Sequence, residues 1–207
     1  MSDASYDDLL TSLRVAYDRG AATRDKEVKS EWKVAERAAF LNRLRTEDRR
    51  RLIEVGAGTG QDGLYFQSHG IDVTATDASP LMVAHCAAKG LPAHQMDFMS
   101  LSFDAGTFDA AYAMNCLLHV PNTDMPRVLS AIRSLLTPEA LFFVGTYRGE
   151  DTEGVLPEDS HDPPRFFSLR RDETLRRLLS EQFELVDFHV VELDDHPFQS
   201  ATLRRPG

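Results

Sequence analysis

Gly56, Gly58 and Gly60 stand on alternate positions directly after the apolar run of Leu52, Ile53 and Val55. Glycine lets the backbone take positive φ and carries no Cβ, so a ligand can lie against the main chain where a strand turns into a helix. About 20 residues past the first glycine, Asp77 closes a second apolar segment, the place at which doubly wound folds put a carboxylate on a ribose diol. An ionised Asp offers two oxygens, which suits two vicinal hydroxyls. Asp97-Phe98 adds a carboxylate able to accept from an adenine amino group, beside a backbone N–H able to donate to a ring nitrogen. Further on, Asn115, Cys116 and His119 follow an apolar segment. His119 could take a proton from a hydroxyl, thiol or ammonium near neutral pH, or it could only shape a pocket.

These residues need elements to present them. Leu52 to Val55 reads as a buried parallel strand, residues 62–69 as a helix and 72–77 as a second strand. Ser79-Pro80 caps a helix through Ala88 that Gly90 ends. Strands follow at 93–96, 108–114 and 141–147, with a helix over 124–136 between the last two. Ahead of the first strand, residues 5–18 carry Leu9, Leu10, Leu13 and Tyr17 at helical spacing, with Gly20 as the expected stop. A second helix over 30–45 turns Trp32, Ala35, Ala39 and Phe40 inward. Residues 148–168 are rich in Gly, Pro, Asp and Glu and predict a lid-like loop. A helix over 172–181 and strands over 183–193 and 198–204, joined through Asp194-Asp195-His196-Pro197, end the chain as a hairpin.

Glu54 stands two residues ahead of Gly56, and acidic-x-Gly-x-Gly-x-Gly resembles motif I of the class I S-adenosylmethionine-dependent methyltransferases. Asp77 and the Asp97-Phe98 step are similar to that family's next two cofactor contacts. Phe108-Asp109 at the start of the fourth strand, with Leu118-His119-Val120-Pro121 beyond its end, resembles motif IV of the members that act on small molecules. The resemblance spans roughly residues 30–205 and implies an α/β, Rossmann-like, doubly wound fold. The implied sheet is seven-stranded and mostly parallel, with an antiparallel last strand and N-terminal helices over the cofactor cleft. It implies one domain over residues 1–207: N-terminal helices in 1–48, a cofactor-binding core in 49–147, the lid-like loop in 148–168, and a C-terminal helix and hairpin in 169–207.

By the same resemblance, the methionine part of S-adenosylmethionine lies over Gly56, Ala57, Gly58 and Gly60, with Glu54 organising its amino end. The adenosine lies on Asp77, Asp97 and Phe98 against Ala78 and Met82. Asn115 and Cys116 flank the cofactor, Tyr17, Trp32 and Arg37 are candidate contacts to its methionine half, and His119 is the candidate base or acceptor contact. Core packing for Met82, Tyr17 and Trp32, and a surface charge for Arg37, are the alternatives. The reaction implied is an in-line displacement at the methyl carbon, leaving S-adenosylhomocysteine. Pro138-Glu139-Ala140 departs from the Pro-Gly-Gly common in the family at that turn.

The 207 residues include 33 acidic and 23 basic side chains, a formal net charge of -10 that argues against wrapping nucleic acid and for a small-molecule partner. Asn115-Cys116-Leu117 fills the slot where nucleic-acid N-methyltransferases carry Asn/Asp-Pro-Pro-aromatic, and Asp162-Pro163-Pro164-Arg165 falls after the fifth strand without the aromatic. The polar N-terminus and the lack of a bilayer-length apolar run lead us to expect a cytoplasmic protein that does not enter a membrane. Cys86 and Cys116 offer neither a disulfide framework nor a metal spacing, so no metal is expected. Glu150, Asp151, Glu153, Glu158, Asp159 and Asp162 of the loop are either solvated or favour a cationic acceptor. A non-catalytic S-adenosylmethionine binder and a nicotinamide-dependent oxidoreductase remain as alternatives. Against the second stands Gln61, where the dinucleotide fingerprint asks for glycine.

Overall fold

The structure is a computed structural model and describes residues 6–193 and 196–207. Residues 1–5, and Asp194 and Asp195 of the expected hairpin connection, lie outside the described residues. Two helices come first. α1 (Tyr6–Arg24) runs past the expected stop at Gly20. A glycine inside a helix costs about 1 kcal/mol against alanine, and burial of Ala16 and Ala21 on either side outweighs it. α2 (Glu31–Thr46) buries Phe40, Leu41 and Leu44, whereas Ala35 and Ala39, expected inside, are exposed. The large side chains set the inward face. Phe40 meets Phe66, Tyr112 and Phe143 at ring centroids of 6.2, 5.8 and 5.4 Å, and methyl groups cannot match the apolar area this removes from water.

The core alternates strand and helix: β1 (Arg51–Val55), α3 (Gln61–Ser68), β2 (Asp72–Asp77), α4 (Pro80–Ala88), β3 (Ala93–Gln95), β4 (Phe108–Met114), α5 (Met125–Leu135) and β5 (Leu136–Tyr147). The Ser79 hydroxyl accepts from the Met82 N–H at 3.1 Å and caps α4, with Pro80 in the first turn where its missing N–H does no harm. Between α5 and the buried part of β5, Glu139 takes φ +63°, doing with a side chain what the family usually does with glycine.

After β5 the structure departs from expectation. Residues 148–168 are not irregular throughout: β6 (Thr152–Val155) and β7 (Phe166–Leu169) pair antiparallel, Thr152 against Leu169 through Val155 against Phe166. The prolines that suggested a loop sit between these strands, where no ladder bond is asked of them. α6 (Asp172–Ser180), β8 (Glu184–Val191) and β9 (Phe198–Arg204) finish the chain.

The main sheet has seven strands in the order β3-β2-β1-β4-β5-β9-β8, and β9 runs antiparallel to both its neighbours. Successive residues of β1 point to opposite faces. Ile53 and Val55 pack with α5 and α6, while Leu52 packs with Phe40 and Phe66 of α2 and α3. That parity turns Glu54 toward α3. The chain winds outward in both directions from β1, so a crevice opens where β1 and β4 end side by side.

Candidate active site

At that crevice lies a cavity of about 240 Å3, roofed by α1 and by the segment joining it to α2. The turn after β1 is its floor. Gly56 and Gly58 take φ of +68° and +56°, and a Cβ on Gly56 would stand 2.5 Å from Cys116 Cβ. Only glycine satisfies both demands there. Gly58 opens onto the cavity: the nearest atom to a Cβ built there is Arg24 Nε at 3.9 Å. Ala57 lines the same floor, with Ala78 and Phe98 on its walls. Gly60 does not reach the cavity, since its Cβ position is 2.8 Å from Cys86 Sγ against α4.

The acids around this floor differ in what they hold. Asp77 ends β2, and each of its oxygens accepts one backbone N–H, from Gly58 at 2.8 Å and from Ser79 at 2.9 Å. Each oxygen keeps a lone pair for a ligand. Burial raises its pKa against the pull of those two bonds. Glu54 is 3 % exposed and its Oε2 has no hydrogen-bond partner. Burial first, then the neighbouring Asp62 charge, drive its pKa well above the usual carboxylate range. Asp97 caps its own turn, accepting from Met99 N at 2.8 Å and Ser100 Oγ at 2.6 Å. Asn115 is held at φ +54°, a conformation Asn tolerates better than most residues, and its Oδ1 is buried without a partner. Cys116 donates to Val55 O at 3.0 Å, and burial pushes its thiol far up, so it is not a thiolate nucleophile.

His119 lines the cavity with both ring nitrogens engaged. Nδ1 lies 2.7 Å from Phe166 O and therefore carries the hydrogen, which leaves Nε2 to accept from Tyr17 Oη at 2.6 Å. Arg165 donates to the same phenol oxygen at 3.2 Å and is itself held by Asp159 at 2.7 Å. Burial pulls the His119 pKa to about 3, and Arg165 and Arg24 add to the depression against the opposing bond to Phe166. A neutral, capped imidazole of this kind does not fit the expected base near neutral pH; it fits the alternative of shaping the pocket.

Other expected contacts are elsewhere. Met82 is buried at 1 % exposure behind the wall and not on it. Trp32 stacks on Phe198 at a centroid distance of 4.4 Å. Arg37 pairs with Asp62 at 3.0 Å and lies 4.0 Å over the Tyr65 ring, so it steadies α3 instead of reaching a ligand. These three side chains each found a larger apolar or charged partner in the core than the cavity offers. The loop carboxylates are likewise spoken for. Glu150 and Asp151 hold Arg171, Glu153 accepts from Ser168, Asp159 holds Arg165 and His161, Asp162 holds Arg19, and Glu158 lies 3.9 Å from His196. None faces the cavity; Asp162 borders only an adjoining groove of about 340 Å3 beyond Tyr17 and Arg24.

What the sequence reading missed is a set of cations. Arg14, Arg24, Lys29 and Lys33 all line the cavity. Their only signal was a run of basic side chains at a helix end and a helix start, which reads as solvated surface. Among the described residues, no three His, Cys, Asp or Glu side chains gather where they could hold a metal.

A glycine cradle, a free pair of lone pairs on Asp77, an orphaned Glu54 oxygen and a guanidinium over Gly58 fit an amino-acid-bearing nucleoside such as S-adenosylmethionine. Comparison with known proteins agrees. A structure of 1,6-didemethyltoxoflavin-N1-methyltransferase from Burkholderia thailandensis, with its acceptor and S-adenosylhomocysteine bound, superposes with a TM-score of 0.81 at 20% identity, covering 100% of this chain and 93% of that one. The S-adenosylhomocysteine complex of DhpI gives 0.69 at 23% identity, covering 98% and 99%. A methyltransferase from Methanosarcina mazei gives 0.70 at 17% identity, covering 76% and 93%. At these identities the likeness is one of fold. No curated sequence matches the chain. The family model described as "Methyltransferase domain" matches residues 26–192, and the chain belongs to that family, the S-adenosylmethionine-dependent methyltransferases its motifs resemble.

Proposed function

We propose that the chain transfers a methyl group from S-adenosylmethionine to a small molecule, at an oxygen or a nitrogen. The observation that carries this reading is the glycine turn open to the cavity between two kinds of group: the Arg24 guanidinium over Gly58 with no ion pair among the described residues, and the buried carboxyls of Glu54 and Asp77. An α-amino acid zwitterion answers both. Glu54, with Asn115 Oδ1, would hold the amino end, and Arg24 the carboxylate. Asp77 would take the ribose hydroxyls on its remaining lone pairs, and Ala78 and Phe98 would enclose the adenine. The cofactor supplies an electrophilic methyl carbon on a sulfonium centre.

The chain's own contribution is alignment and exclusion of water. His119 holds the Tyr17 hydroxyl, and Tyr17 with Leu10 and Leu13 of α1 closes the cavity above the turn. With His119 neutral and both its ring nitrogens engaged, the acceptor attacks with a lone pair that needs no strong base: a neutral amine, a ring nitrogen or an already acidic hydroxyl. Calorimetry with S-adenosylhomocysteine tests the assignment. Asp77→Ala should weaken binding by roughly tenfold or more, the loss expected for charge-assisted bonds. An unchanged affinity would remove Asp77 and the adenosine placement with it. Turnover of labelled cofactor separates this reading from a non-catalytic binder, which would bind equally and transfer nothing.

A further inference from the structure

Five cations stand on or beside the cavity wall, and most of them are neutralised within the chain. Lys29 lies 2.7 Å and Arg37 3.0 Å from Asp62, and Arg14 lies 3.9 Å from Asp97. Arg24 and Lys33 have no ion pair or side-chain hydrogen bond among the described residues. Each rests instead on aromatic faces: Arg24 5.4 Å over Tyr17, and Lys33 5.1 Å over Trp32 and 5.8 Å over Tyr147. Such contacts offset only part of the loss of water around a half-buried charge. The wall carboxylates Glu27, Asp62 and Asp77 are not within ion-pair distance of either, and Glu27 is exposed.

The cofactor brings one carboxylate, and two cations wait. Arg24 lies over the glycine turn after β1, at Gly58. Lys33 is displaced from that turn across β4, above Tyr147 at the end of β5. We infer that Lys33 is the anion-recognising residue of the acceptor site, and that the methyl acceptor carries a small oxyanion, a carboxylate or a phosphate-like group. This rests on the cavity being the cofactor site. The loop acids that might have favoured a cationic acceptor are paired elsewhere; of the acids on the wall, Asp62 is held by Lys29 and Arg37, Asp97 lies 3.9 Å from Arg14, and Asp77 takes two backbone N–H groups, while Glu27 is exposed. Burial, then the charges of Lys29 and Arg24, lower the Lys33 pKa, the direction expected of an ammonium short of counter-charge.

Trp32 is the only tryptophan in the chain, and its indole lies under the Lys33 ammonium, so its emission reports on this site alone. The protein is saturated with S-adenosylhomocysteine, then titrated with acetate and with inorganic phosphate at constant ionic strength. A saturable change in Trp32 emission is expected with at least one of them, and the better ligand tells carboxylate from phosphate. Lys33→Met should weaken that response by about tenfold or more, and Lys33→Arg should keep it, with cofactor affinity in both within about threefold of wild type. Two outcomes overturn the inference: no saturable response to either oxyanion, or a cofactor affinity that falls about tenfold in Lys33→Met, which would make Lys33 the cofactor's own carboxylate partner. Wild-type protein that fails to bind S-adenosylhomocysteine would instead overturn the cofactor reading beneath it.

Discussion

At the scale of single residues, His119 has the most to say. A histidine with Nδ1–H on a carbonyl and Nε2 under a phenol is neutral by construction. Its pKa is about 3 in the fold, against about 6.5 in an unfolded chain. Between those values the unfolded state binds a proton that the folded state does not, so stability rises with pH. The contribution is whole above about pH 6.5 and is lost as pH falls toward 3. Urea unfolding at pH 7, 6 and 5 should therefore show wild type losing stability faster than His119→Gln, by up to about 1.4 kcal/mol per pH unit below pH 6.5. Parallel curves would mean that the imidazole is not held neutral. Gly56 and Asp77 were legible because each answers a backbone demand: a positive φ with no room for a Cβ, and an acid at a strand end that takes the N–H of the glycine turn. Arg24 and Lys33 were not, because their importance lies in anions that the fold fails to bring them. Spacing carries no trace of that.

At the scale of elements, the alternating strands and helices of the core could be read because buried parallel strands are continuous apolar runs bounded by turn residues. The segment after β5 resisted reading. Its hairpin is short and rich in charge, and what holds it is one buried side chain distant in sequence from the groups it binds. Arg170, 1 % exposed, donates to Val120 O at 2.6 Å, Asn122 Oδ1 at 2.7 Å and Leu117 O at 3.3 Å, tying the strand end after β7 to the loop that carries His119. Burial lowers its pKa to about 10, which keeps it charged at neutral pH. Arg170→Met would leave those oxygens without a donor, at a cost of roughly 2–4 kcal/mol. Hydrogen exchange should show the β6–β7 amides opening sooner while β1 and β4 keep their protection. Equal protection throughout would show that packing of Phe167 and Leu169 alone holds the hairpin.

At the scale of the molecule, charge is divided by location. The chain carries a net -10, yet the cavity wall presents four basic side chains. Five acidic side chains share that wall, so a small anion is admitted not by a net charge but by Arg24 and Lys33, its two cations without an ion pair among the described residues. Among the described residues, no helix is long and apolar enough to cross a membrane. The measurement that tests the central claim most directly uses methyl-labelled S-adenosylmethionine and a low-mass metabolite pool, split beforehand on an anion exchanger. Label should enter a low-mass compound from the retained, anionic half, and Asp77→Ala should cut the uptake at subsaturating cofactor by roughly tenfold or more. Uptake from the unretained half alone would refute the role given to Lys33. Label in RNA or protein, or no transfer from any fraction, would contradict the claim that this chain methylates a small molecule.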